Sequence, residues 1–133
     1  MKKVDNFFRA LENLRDIYQY DPPKGNVEIT GLVGLYEICF EQAWKAMKEL
    51  LEESGFAERK TGSPKMVIKT AYSAGMVHDE ESWLSALTDR NNVTHSYNVE
   101  IAMSIIQHTK DCYVPMFEDL KKAIETDWLQ EKL

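Results

Sequence analysis

The sequence predicts an all-α protein, an up-and-down four-helix bundle with an extra short or kinked helix. Three observations predict it. Apolar residues recur every three or four positions along most of the chain, the period of helices that bury one face. Glycine and proline are few, 6 and 4 in 133 residues, which argues against the turn-rich connections of a β architecture. Hydrophobic residues make up 44% and charged ones 29%, the balance of a chain that buries a core and is not disordered. Residues 1–133 are expected to form a single domain, without repeats, low-complexity tracts or an interdomain linker.

Taken in order, Val4, Phe7, Phe8, Leu11, Leu14 and Tyr18 step along one face of a first helix. Asp21-Pro22-Pro23-Lys24-Gly25 stops it, because two prolines cannot continue a helix. A second, longer helix is expected from Thr30 to Ser54, with Gly55 as its C-terminal stop. Its stripe is Leu32, Leu35, Cys39, Ala43, Ala46 and Leu50, flanked by Ile38, Trp44 and Met47, while Gly31 and Gly34 weaken its first turn. Ser63 as N-cap and Pro64 at the first helical position open a short third helix that ends near Gly75. Asp79-Glu80-Glu81 places acids at the positive end of a fourth helix, which turns Trp83, Leu84 and Leu87 inward and runs into Arg90. Asn98 caps a fifth element with Ile101, Ile105, His108 and Cys112 on one face, and Pro115 is expected to kink or split it.

Composition excludes several functions. A net charge of −6 argues against coating nucleic acid by bulk electrostatics, so any RNA contact must be local. Cys39 and Cys112 form no CxxC pair and read as buried small hydrophobes of a reducing compartment. No apolar run follows the basic start, and none approaches the roughly 20 residues that span a bilayer. The chain is therefore expected to be soluble, untargeted and cytoplasmic, with no membrane partner. His78, His95 and His108 lack metal-ligand spacing; no metal and no cofactor is expected, and His108 reads as a core or interface histidine. Glu49 with Glu52 and Glu53, and Glu118 with Asp119, read as solvated helix faces. Phe7, Phe8, Trp44 and Trp83 read as core and not as a base-stacking platform. Arg59, Lys60, Lys65 and Lys69 are the one basic concentration, read either as an RNA- or partner-binding strip or as a solvated face.

Chemistry concentrates in Arg90-Asn91-Asn92-Val93-Thr94-His95-Ser96-Tyr97, between the fourth and fifth helices. Arginine binds phosphate oxygens bidentately and stays charged. Histidine gives and takes a proton near neutral pH. Metal-free RNA cleavage needs a base on the ribose 2′-hydroxyl, an acid on the leaving 5′-oxygen and a cation against the phosphorane, roles open to His95 and Arg90. One motif offers one histidine, so two would require two chains across a symmetric interface. The plain alternatives are an ion pair of Arg90 with Asp89 or a neighbouring acid, Asn91 and Asn92 as helix-stop residues, His95 as a turn residue and Tyr97 as a packed aromatic.

The motif resembles that of the HEPN family, whose signature is Arg, a polar residue that is often Asn, a few residues more, then His. A subset of its toxins adds Tyr two positions after the His, where Tyr97 stands in this chain. The resemblance implies a HEPN-type helical bundle of the branch also called nucleotidyltransferase substrate-binding protein, partnered by a minimal nucleotidyltransferase. It further implies a homodimeric, metal-independent endoribonuclease toxin using Arg90, Asn91 and His95 across the dimer cleft, with RNA as substrate and Tyr97 as the residue its partner modifies with AMP. The alternative is a non-catalytic substrate- or nucleotide-binding subunit of a two-component nucleotidyltransferase. The chain is not expected to transfer nucleotides itself: Gly62-Ser63 could start a triphosphate-cradling turn, but no Asp-x-Asp pair follows to hold magnesium.

Overall fold

The computed structural model describes residues 1–56 and 62–129, and among these the chain is all helical, without a strand. Six α-helices follow in order: α1 (Lys2–Leu14), α2 (Gly25–Glu53), α3 (Pro64–Ser73), α4 (Glu80–Asn91), α5 (Val99–His108) and α6 (Val114–Ala123). They form the expected helical bundle, with α2 packed against α1, α3, α4 and α5, and α6 closing against α1.

α1 buries Val4, Phe7, Ala10, Leu11 and Leu14, and the Glu49 carboxylate accepts its Lys3 N–H at 3.2 Å. The face does not continue to Tyr18. Arg15–Gln19 tighten into a 3-10 turn. At three residues per turn, position i+3 follows position i inward. Ile17 therefore follows Leu14 into the core, and Tyr18 is half-exposed, its hydroxyl donating to the Lys110 carbonyl at 2.7 Å.

α2 starts five residues before the expected Thr30, and the Lys24 N–H that precedes it donates to Glu28 Oε1 at 2.6 Å. Burial of Leu32 and Val33 outweighs the propensity cost of Gly31 and Gly34, because packing of an apolar face supplies most helical stability in proteins. Ile38 is exposed. The helix ends as expected: Gly55 takes a φ of +78°, its N–H donates to Glu52 O at 3.2 Å, and Phe56 N–H donates to Leu51 O at 2.9 Å. α3 opens on Ser63, whose hydroxyl accepts the Met66 N–H at 3.2 Å, and closes with Gly75 in the same left-handed conformation.

Asp79 caps α4. Its carboxylate accepts the Ser82 N–H at 3.0 Å and the Ser82 hydroxyl at 2.6 Å, and these bonds hold its pKa below the usual value. Asp79→Ala is expected to cost about 1 kcal/mol at neutral pH. Because the folded-state pKa is depressed, that stabilisation is present above the unfolded pKa and fades as pH falls through the folded one. Urea titrations of wild type and variant should therefore converge on acidification; a gap independent of pH would refute the role of the charge.

The C-terminal rod departs most from a regular helix. Thr109–Tyr113 form a π turn between α5 and α6, and Ile124–Trp128 form another. Pro115, the second residue of α6, follows the first π turn, so the rod divides where a proline was expected to interrupt it. A proline cannot donate to the carbonyl one turn back, and a widened turn relieves the mismatch. The widening also takes Cys112 off the buried face: it is exposed, contrary to expectation, while Cys39 is fully buried. Phe117 is the hub of the core. Its ring lies 6.2 Å from Phe7, 6.4 Å from Tyr36 and 5.5 Å from Trp83, linking α1, α2, α4 and α6. Phe8 and Trp44 are partly buried at the core's edge.

Candidate functional site at the α4–α5 junction

The backbone from α4 into α5 is hydrogen-bonded at almost every step. The Asn92 N–H donates to the carbonyls of Thr88 and Asp89, closing α4. A 3-10 turn, Val93–His95, follows, with His95 N–H on Asn92 O at 2.9 Å, Ser96 N–H on Val93 O at 3.0 Å and Asn98 N–H on His95 O at 3.1 Å. The Asn98 side chain then accepts the N–H groups of Glu100 at 2.9 Å and Ile101 at 3.3 Å, starting α5 as expected. The junction is thus a short, defined turn.

Arg90 does not project freely from it. Its Nε donates to Glu41 Oε1 at 2.6 Å, Nη2 donates to the same oxygen, and Nη1 donates to Asn91 Oδ1 at 3.1 Å. Glu41 is held in turn, since Trp44 Nε1 donates to its Oε2 at 2.8 Å. Both members of the Arg90–Glu41 pair are mostly buried. Of the alternatives read from the sequence, the ion pair is realised, but its partner is Glu41 on α2 and not Asp89. Glu41 lies 49 residues upstream on the flank of a buried stripe, and no local spacing signals the contact.

Asp89 faces the other way. Its Oδ2 lies 2.7 Å from His108 Nδ1 and accepts the Tyr113 hydroxyl at 2.6 Å; that hydroxyl is also 3.1 Å from Ser85 Oγ. Burial, then the adjacent Asp89 carboxylate, push the Tyr113 phenol well above its usual pKa, so it stays a donor. Tyr113 stacks on Tyr36 at 5.3 Å between ring centroids, and the Tyr36 hydroxyl donates to the Ala86 carbonyl. Of the two readings of His108, core or interface, the core one is corrected: the side chain is half-exposed and anchored through Nδ1 to Asp89. Consecutive residues Asp89 and Arg90 therefore clamp the end of α4 to the C-terminal rod on one side and to α2 on the other.

His95 and Tyr97 form a separate, outward group. Both are exposed, Tyr97 at 84%, and their rings meet edge to face with centroids 6.3 Å apart. The junction thus joins Arg90 and Asn91 to Glu41, and leaves the imidazole and phenol of the motif in solvent. Chemically it offers a proton-exchanging imidazole and an accessible phenol, beside an arginine whose charge is already compensated.

Two of the four residues of the basic strip lie on α3. Lys65 is exposed, Lys69 Nζ lies 3.8 Å from Glu80 Oε2, and Arg59 and Lys60 lie outside the described residues. Of the acidic faces, Glu49 accepts the Lys3 N–H and Glu118 takes Arg15 Nη2 at 2.7 Å and Nε at 3.0 Å. Among the described residues no cluster of histidine, cysteine and carboxylate side chains could hold a metal ion, and no helix is long and apolar enough to cross a membrane.

Fold and junction together define a small helical bundle that displays side chains at a helix junction. The chain belongs to the family described as nucleotidyltransferase substrate binding protein like, whose model matches residues 2–126. No curated protein matches it. Among solved structures it is similar to a Thermus thermophilus protein, at 28% identity and a TM-score of 0.76, over 86% of this chain and 94% of that one. A Haemophilus influenzae protein, described as having the fold of a substrate-binding domain of a nucleotidyltransferase, superposes with a TM-score of 0.80 at 19% identity, over 92% of this chain and 99% of that one. This second likeness concerns the fold.

Proposed function

We propose that residues 1–133 form a single HEPN-type domain serving as the substrate-binding subunit of a two-component nucleotidyltransferase, with a minimal nucleotidyltransferase as partner. The family match over residues 2–126 carries this reading. Two features of the chain agree with it. The sequence lacks the Asp-x-Asp pair that nucleotidyl transfer needs, and Ser63 of Gly62-Ser63 caps α3. The partner supplies the transfer chemistry, and this bundle holds the acceptor.

Co-expression with a minimal nucleotidyltransferase tests the proposal. The expected result is a complex that survives gel filtration and transfers nucleotide faster than the partner alone. Separate elution at micromolar concentration, with no change in transfer, would sink it.

A second reading is a metal-independent ribonuclease toxin acting as a homodimer on RNA, with Arg90, Asn91 and His95 catalytic, Tyr97 the modified residue and Lys65 and Lys69 on the RNA backbone. The solvent exposure of His95 and Tyr97 favours it. The commitment of Arg90 to Glu41 weighs against it, because a compensated guanidinium offers little to a phosphorane. Incubating unmodified protein with an RNA pool in EDTA separates the two. No cleavage is the expected outcome; cleavage lost in His95→Ala would establish the ribonuclease instead.

A further inference from the structure

Seven residues back along α4 from Arg90, roughly 10 Å at the rise of a helix, Trp83 borders a groove that the motif does not touch. Its volume is about 580 Å³, within the range of small-molecule sites, and it lies between the start of α4 and the C-terminal rod. One wall is apolar, built from Met76, Val77, Trp83, Met116 and Leu120. The rim is acidic: Asp79, Asp119 and Asp127 stand against a single ammonium, Lys122. Asp79 is used in capping α4, whereas Asp119 and Asp127 make no hydrogen bond or ion pair among the described residues.

The rod's two π turns both feed this groove. Cys112 comes from the first, Thr126 and Asp127 from the second. A π turn sacrifices regular helical hydrogen bonding and is frequent at functional sites. Here the two turns bracket α6 and each contributes side chains to the groove.

We infer that this groove binds a small amphipathic cation, an amine carried on an apolar or aromatic body, and that it is the acceptor pocket of the proposed binding subunit. The substrate assignment rests on that proposed function; the ligand class rests on the groove alone. The amine pairs with one of the two rim carboxylates, Asp119 or Asp127, and the body lies along Met116 and Leu120 beside the Trp83 edge. An anion of the same shape meets a rim with three carboxylates and one ammonium, so charge sets the selectivity.

Titration of the ¹⁵N-labelled chain with 2-phenylethylamine, and separately with 3-phenylpropanoate, puts opposite charges on one ring. The amine is expected to shift the Trp83 indole and the α6 amide resonances, and the carboxylate to bind more weakly. Asp119→Asn with Asp127→Asn should weaken amine binding roughly three- to tenfold, since together they remove the partly solvated ion pair. Lys122→Met, which removes the opposing charge, should tighten it. Absence of shifts at the groove, equal binding of the carboxylate, or amine affinity unaltered in these variants would overturn the inference. Amine binding without a nucleotidyltransferase complex would leave the ligand class standing and remove the subunit reading; a complex without amine binding would do the reverse.

Discussion

Phe117→Ala is expected to lower stability by about 3–5 kcal/mol, the range for deleting a fully buried aromatic ring. The ring is inaccessible to solvent and touches Phe7, Tyr36 and Trp83. Its removal strips contacts from α1, α2 and α4 together, and the stiff aromatic neighbours can collapse only partly into the space. The transfer and cavity costs therefore add. Urea denaturation at neutral pH, followed by circular dichroism, measures the effect, and Phe117→Leu should recover much of it by refilling part of the volume. A loss below about 1.5 kcal/mol would mean that the helices are not held by one shared aromatic core.

Arg90→Ala is expected to cost about 1–3 kcal/mol, because it leaves Glu41 partly buried with only its Trp44 bond. Glu41→Gln should cost less, since an amide oxygen can still accept from the guanidinium. In the cycle of Arg90→Ala, Glu41→Ala and the double variant, the double should lose less than the sum of the singles, with coupling on the order of 1 kcal/mol. Additive losses would show that the two side chains do not depend on each other. The same variants separate clamp from catalyst. If Arg90 only fastens α4 to α2, Glu41→Ala leaves RNA affinity unchanged; if Arg90 is a phosphate-binding group restrained by Glu41, freeing it raises RNA affinity and Arg90→Ala abolishes the gain. The first outcome is the one expected of a substrate-binding subunit.

Helix punctuation was readable wherever it depends on local backbone chemistry. Ser63 and Asn98 cap the helices they were expected to cap, Asp79 caps the helix expected to begin there, and Gly55 and Gly75 take the left-handed conformation that ends a helix. Each such signal acts within about four residues, the reach of a capping side chain. Errors arose where a change of helical period intervened. Tyr18 was set on the buried face by a 3.6-residue repeat that a 3-10 turn interrupts, and Cys112 by a repeat that a π turn interrupts.

The motif divides along the same line. Its residue types, spacing and place between two helices are properties of the sequence. Partner choice is not. That Arg90 meets Glu41, that Asp89 meets His108 and Tyr113, and that π-turn residues converge with Trp83 on an acidic groove all depend on helices from distant parts of the chain. The sequence by itself thus determined the helices, their caps and the chemical types available at the junction, because those follow from hydrogen bonds and apolar periodicity within one or two turns. Only the tertiary structure decided which charges are compensated and which groups face solvent, because those depend on how the helices pack and on the turns that rotate one segment against the next.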